Sequence, residues 1–360
     1  MFENYNPLKR DIGHWEKKVS WRGYPYWIWR PSMPRIQDAM LDAVFFIFRS
    51  EKEAVEGENG GTGFFFFVPS EVNPQIGYLY AVTCAHIIFA DGFDKPIIRI
   101  NTQGGKFDLI ETDRKNWERS ADASDIAACL FKSEPKHHKT AVFNREHILS
   151  KEFMNEHNVG VGDDVIMAGE FWGLIGNNKN IPTVRFGNIA RMLDEPIFNQ
   201  FTGLKEDSFL VEMRSASGCS GSPALLTIEP LSYRYKQGTK AFSKEWRQKL
   251  LGINWGHITH KEPVMNQSEE EYFEKLHVAF NTTMACVTPS WKLLEIIDGD
   301  AMKKVRDEID KKLRELKNKA IVELDLKSDK VKEFTQEEFE DMLRIISFPI
   351  KPDDQEKKGT

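Results

Sequence analysis

Three short segments carry residue types that can perform acyl-transfer chemistry. Thr83-Cys84-Ala85-His86 offers an imidazole, Ser124-Asp125-Ile126-Ala127 a carboxylate, and Gly218-Cys219-Ser220-Gly221-Ser222-Pro223 a hydroxyl in a turn of small residues. A serine hydroxyl becomes a useful nucleophile only beside a neutral imidazole, and that imidazole needs a carboxylate on its other nitrogen. Donors must also face the oxygen on which charge develops, a task that glycine-flanked amides can meet. Taken singly, each residue has a plainer role. His86 reads as a half-buried histidine, Asp125 as a strand-starting residue and Ser220 as a turn serine. Their occurrence together, in the order His, Asp, Ser, is what gives the pattern weight. Cys219 is a second candidate nucleophile, because a thiolate is the stronger nucleophile at neutral pH. A Cys84/His86 pair supplies too few ligands for a zinc site, so neither a metal nor another cofactor is expected.

The elements that must position these groups are mostly strands. Between about residues 41 and 290, short apolar or β-branched runs are separated by Gly, Asn, Asp and Pro. Candidate strands are 43–49, 62–68, 78–83, 96–100, 106–111, 126–131, 164–169, 182–190, 208–213, 223–228, 249–255 and 278–287. Many short strands broken by turns point to a barrel or sandwich rather than a βαβ fold. The polar stretch 133–160 divides the β region into two similar halves, as two small barrels would require. Residues 1–40 hold Trp15, Trp21, Trp27 and Trp29 without a clean period, and read as an irregular aromatic arm packed on the body or offered to a partner. Beyond Pro289, helical spacing appears at Trp291, Leu293, Leu294 and Ile297, then along 300–322 at Met302, Val305, Ile309, Leu313 and Leu316. Thr335 and Glu338 form a capping-box pattern before Phe339, Met342, Leu343 and Ile346.

The three chemical segments resemble the His, Asp and Ser motifs of the trypsin-like (chymotrypsin-fold) serine peptidases, particularly bacterial trypsin-like domains and the HtrA/Deg group. The resemblance spans about residues 41–297. Gly61-Thr62-Gly63-Phe64 is similar to the strand preceding the histidine motif, and Gly160-Val161-Gly162-Asp163 and Arg185-Phe186-Gly187-Asn188-Ile189 to the opening strands of the second barrel. Gly252-Ile253-Asn254-Trp255-Gly256 looks like the strand that pairs with substrate backbone. The resemblance implies an all-β core of two six-stranded antiparallel β-barrels, with the irregular N-terminal arm and a helical C-terminal extension outside it. Residues 41–155 would form the first barrel with His86 and Asp125, residues 156–298 the second with Ser220 and a closing helix, and residues 299–360 a charged helical extension and tail. It implies His86 as general base, Asp125 as its orienting carboxylate, Ser220 as nucleophile, and the amides of Gly218 and Ser220 as the oxyanion hole.

The implied activity is peptide-bond hydrolysis through an acyl-enzyme; a catalytically silent protease-fold scaffold is the alternative. Arg214, Ala216, Asn254, Trp255 and Gly256 would line the substrate site. A cationic floor at Arg214 would favour an acidic side chain, unless Arg214 turns outward or pairs with Glu212; a pocket bounded by Ala216, Gly256 and Phe280 would select a small apolar one. The chain departs from the family pattern at Cys219, which stands where Asp is usual, at Ser222 in place of glycine, and at Asn254 in place of serine. Cys219 implies the absence of the switch in which that Asp pairs with a processed N-terminus.

Composition narrows the partners. The 360 residues are 41% hydrophobic and 12% aromatic, with a formal net charge of −6. These values fit a globular protein and give no reason to expect nucleic acid. Four cysteines are too few for a disulfide scaffold, and the first residues show no export signal. The expected partner is a peptide or protein substrate, with further protein contacts available to the arm or the C-terminal helices. The expected setting is cytoplasmic, without membrane association.

Overall fold

The computed structural model describes residues 13–19, 25–31, 38–74, 76–89, 94–171, 173–213, 218–228, 247–264 and 277–325. Two strands come first, β1 (Gly13–Val19) and β2 (Pro25–Pro31), which pair antiparallel from Gly13↔Pro31 to Val19↔Pro25. The region read from the sequence as an irregular arm therefore contains a regular hairpin. In the sequence, the mixture of Trp, Tyr, Lys and Pro hides any period of two.

The first half of the β region follows the short helix α1 (Asp38–Asp42). Its strands are β3 (Val44–Phe48), β4 (Gly61–Pro69), β5 (Gly77–Thr83), β6 (Ile97–Asn101), β7 (Phe107–Glu111), β8 (Trp117–Arg119) and β9 (Ala127–Leu130). Helix α2 (Glu51–Glu56) joins β3 to β4, and α3 (Ala85–Phe89) follows β5. The run Phe64–Phe66 is wholly buried because β4 lies in mid-sheet and is covered on both faces.

These strands form one curled, open seven-stranded sheet in the order β7-β6-β3-β4-β5-β9-β8, not the closed six-stranded barrel expected. The core of this half is completed from elsewhere. Helices α5 (Trp291–Ile297) and α6 (Asp300–Asp325) add Leu293, Ile296, Ile297, Met302, Ile309 and Leu313 to the same apolar cluster. Buried Asp310 accepts hydrogen bonds from Ser70 Oγ (2.5 Å) and Tyr78 Oη (2.6 Å), while Arg306 Nη1 donates to Tyr80 Oη (2.9 Å). Helix packing thus covers apolar surface that strand closure would otherwise enclose.

The second half does close. Its barrel strands are β10 (Asp164–Gly169), β11 (Thr183–Arg191), β14 (Phe209–Glu212), β15 (Ser222–Ile228), β16 (Arg247–Pro263) and β17 (His277–Pro289), ordered β10-β11-β14-β17-β16-β15. Between β11 and β14 a separate hairpin forms from β12 (Ile197–Asn199) and β13 (Leu204–Glu206). Helix α4 (Lys151–Glu156), capped by Ser150 Oγ, lies in the polar connection between the halves. The apolar stripe expected along 300–322 lies on one continuous helix, where Met302, Ile309 and Leu313 are buried. The side chain of Leu316, and the helix proposed after Thr335, lie outside the described residues. No helix among the described residues is long and apolar enough to cross a membrane.

Candidate active site

His86 leaves the end of β5 on the first turn of α3, and Asp125 stands just before β9, the neighbour of β5 in the sheet. That adjacency brings the two together. Asp125 Oδ1 accepts from the His86 backbone N–H (2.8 Å), and Asp125 Oδ2 lies 2.6 Å from His86 Nδ1. An ionised carboxylate only accepts, so the neutral imidazole carries its proton on Nδ1 and leaves the Nε2 lone pair available. Asp125 is wholly buried, whereas the His86 side chain retains 15% exposure. The carboxylate is therefore sealed from solvent, while the ring keeps limited access to it.

A third contact holds the carboxylate. Asn199, buried at the end of β12, donates its Nδ2 to Asp125 Oδ2 (3.0 Å) and to Glu206 Oε1 (2.5 Å). Glu206 also accepts from the Asp125 backbone N–H (2.9 Å) and from Thr288 Oγ1 (3.2 Å). Burial, with a smaller push from the Asp125 charge, raises the Glu206 pKa against the pull of these donors. On the same hairpin, Phe201 stacks on His86 with ring centroids 4.1 Å apart and planes 13° from parallel. Sequence reasoning missed Asn199, Phe201 and Glu206. The only available signal was the Thr202-Gly203 turn between Phe201 and Leu204.

Ser220 sits in the turn that leads into β15. Gly218 and Gly221 flank the Cys219-Ser220 pair with φ of +89° and +86°, the left-handed region that glycine tolerates best. Close packing reinforces the choice: a Cβ on Gly221 would stand 1.8 Å from Thr62 O and 2.3 Å from Thr83 Oγ1. Thr62 spans the junction. Its N–H donates to Ser220 O (2.8 Å) and its Oγ1 donates to Gly218 O (2.8 Å). The Asn254 carbonyl accepts from both Gly221 N (2.7 Å) and Cys84 Sγ (3.2 Å), tying the serine turn to the histidine segment.

The Ser220 hydroxyl donates to Trp255 O at 3.1 Å. No hydrogen bond joins Ser220 to His86 among the described residues. The register between β16 and β17 shifts between Asn254 and Gly256, which makes Trp255 the extra residue of a bulge and re-aims its carbonyl. Trp255 is buried, with Nε1 donating to Ser208 Oγ (2.9 Å). Asn254 is also buried, and its Nδ2 donates to Cys219 O (2.9 Å). A Cβ on Gly256 would lie 3.3 Å from Phe201, so the strand edge and the aromatic cap are adjacent. Arg214 and Ala216 lie outside the described residues. Cys219 Sγ is buried and donates to the Glu170 carbonyl (3.3 Å).

Beyond that carbonyl lies the Glu170 side chain, wholly buried against Gly218. Neither of its carboxyl oxygens has a partner among the described residues. A Cβ on Gly218 would stand 3.2 Å from Oε1. Burial pushes the Glu170 pKa up to about 8, against the opposing charge of Arg99.

Two groups among the described residues gather metal-ligand atoms within 4.8 Å, namely Cys84/His86/Asp125 and Asp108/His137/His138. In the first, burial raises the Cys84 pKa well above the usual thiol value, and its Sγ donates to Asn254 O. A thiol engaged as a donor is not a thiolate ligand. In the second, His138 Nδ1 accepts from Glu134 N (2.9 Å), so Nε2 bears the proton and donates to Asp108 Oδ2 (3.2 Å). Both patterns are hydrogen-bond sets rather than open ligand sets.

No family model matches the chain, and no curated protein matches it. Among solved structures it is similar to the inactive form of the Rv3671c protease, at 15% identity and a TM-score of 0.37, covering 72% of this chain and 90% of that one. An inactive serine-to-alanine mutant of Rv3671c from M. tuberculosis H37Rv gives 12% identity and a TM-score of 0.36, with 72% and 88% coverage. Both likenesses are distant.

Proposed function

We propose that the chain is a serine endopeptidase in which Ser220 is the nucleophile, His86 the general base and Asp125 the carboxylate that orients it. The observation that carries this reading is the His86–Asp125 pair. A buried carboxylate holds Nδ1, no hydrogen bond occupies Nε2 among the described residues, and the Ser220 turn is tied to the same segment through Asn254.

In the reaction, Ser220 Oγ leaves Trp255 O by rotation about χ1 and passes its proton to His86 Nε2 as it attacks the substrate carbonyl. Asp125 stays ionised and stabilises the imidazolium. The N–H groups of Gly218 and Ser220, which donate to no protein acceptor among the described residues, suit the developing oxyanion. His86 then protonates the leaving amine, and water repeats the sequence on the acyl-enzyme. The edge at Trp255–Gly256 suits an extended peptide, and Arg214 would supply a preference for acidic side chains. A cytoplasmic protein or peptide substrate fits this reading.

A fluorophosphonate probe tests it directly. Wild type and Cys219→Ala should be labelled and should hydrolyse a peptide library, while Ser220→Ala should do neither, with kcat reduced by at least about 10³-fold. Labelling that survives Ser220→Ala overturns the assignment. One observation favours a second reading, a catalytically silent binding protein, because the Ser220 hydroxyl is engaged by Trp255 O rather than by His86. A folded wild type that neither labels nor hydrolyses would support that reading.

A further inference from the structure

We propose that Asn199 and Glu206 are positioning residues for His86 and Asp125, so that a hairpin from the second half of the molecule holds the base supplied by the first. The proposal rests on the peptidase reading above.

The hydrogen-bond assignments leave little freedom. Asn199 Oδ1 accepts the Phe201 backbone N–H (2.9 Å), which fixes the amide orientation and points both Nδ2 hydrogens at carboxylates. One goes to Asp125 Oδ2, the oxygen that also faces His86 Nδ1; the other goes to Glu206 Oε1. Glu206 in turn grips the Asp125 backbone N–H through Oε2. Asp125 is therefore held twice by one hairpin, at its side chain through Asn199 and at its main chain through Glu206. Thr288 on β17 anchors Glu206 to the barrel wall. Asn199 and Glu206 both bond Asp125, and both are buried. They act on the chemistry through Asp125. A buried polar network in which every member is satisfied resists displacement, since each broken contact strands a partner.

The test compares Asn199→Ala, the nearly isosteric Asn199→Asp, and Glu206→Gln with wild type, using kcat, KM, phosphonate labelling rate and the downfield NMR signal of the His86 Nδ1 proton. Asn199→Asp keeps the shape but replaces two donors with a third carboxylate oxygen set. It should therefore lower kcat by about 100-fold, more than the roughly 10-fold loss for Asn199→Ala, with KM within about twofold for both. Glu206→Gln replaces one accepting oxygen with an amide that points N–H at donors, and should fall between them. The His86 Nδ1 signal should shift or broaden in all three. If the variants fold poorly, Thr288→Val removes a single donor to Glu206 and should still lower kcat about two- to fivefold at constant KM. Equal kcat in wild type and variants, with an unchanged His86 signal, overturns the proposal. So does an Asn199→Asp protein more active than Asn199→Ala, because that order marks Asn199 as a space-filler. A wild type that fails to label sinks the peptidase reading instead. The NMR signal then decides the positioning role by itself.

Discussion

Two buried glutamates flank the candidate site, and their surroundings are opposite. Glu206, behind Asp125, accepts from a backbone N–H, an amide and a hydroxyl. Glu170, against Gly218, has no partner for either carboxyl oxygen among the described residues. Burial is the leading cause of a raised pKa at both. At Glu206 directed donors pull against it. At Glu170 the only opposing influence among the described residues is Arg99, itself buried, whose Nη2 donates to Gly176 O (2.6 Å) and whose guanidinium lies 3.8 Å over the Phe107 ring. Donors build a carboxylate into an orienting device. Without them, burial makes the same group a proton-holding one.

The largest effect expected from this contrast is on stability. Glu206→Ala strands three buried donors and should cost about 3–5 kcal/mol. Glu170→Ala strands none and should change stability by less than about 1 kcal/mol, since relief of a costly buried acid offsets the small cavity. Urea unfolding of both variants at neutral pH measures this, and equal costs would break the contrast.

A smaller effect should appear on changing pH. The folded pKa of Glu170 is about 8 against an ordinary 4.5, so the native state binds this proton more tightly than the unfolded chain. Its contribution to stability is full below about pH 4.5, declines as the pH rises through 8, and is level above that. Glu170→Gln should remove this decline and gain on the order of 2–4 kcal/mol over wild type between pH 5 and pH 9. Parallel pH–stability curves for the two proteins would count against the assignment.

The smallest effect concerns the aromatic cap beside Glu206. Phe201→Leu keeps an apolar side chain but loses the ring stack on His86, and should cost about 0.5–1.5 kcal/mol. Thermal denaturation measures it, and a loss larger than that of Glu206→Ala would place the anchor in the cap rather than in the carboxylate.

Much of this architecture was legible in the chain. Alternation and buried runs marked strands such as 62–68, 78–83 and 164–169, which overlap β4, β5 and β10. The His86–Asp125 pairing followed from segments at the ends of what prove to be neighbouring strands. Other features depend on tertiary context. Nothing local to β7 or β8 reveals that these outer strands leave the sheet open, because the covering surface comes from Met302, Ile309 and Leu313, some two hundred positions away. The hairpin at 197–206 is three residues a side, too short for periodicity to show. Its Asn199 and Glu206 look like ordinary polar loop residues until their buried partners are known. Glu170 likewise reads as a surface acid beside Phe171, and only the packing of Gly218 and Gly60 against it shows otherwise.

The carbonyl of Asn254, which takes a thiol from Cys84 and an amide from Gly221, has a consequence for the order of folding. Cys84 and Asn254 are 170 positions apart in sequence. A contact of that span forms only after the intervening chain has given up most of its freedom, and native pairings of high sequence separation are the slow ones. The strands of each half can assemble from nearer neighbours, whereas the junction at Asn254 needs both halves already shaped. Chemistry at this site would then be acquired late by the folding chain, and lost early when contact between the halves loosens.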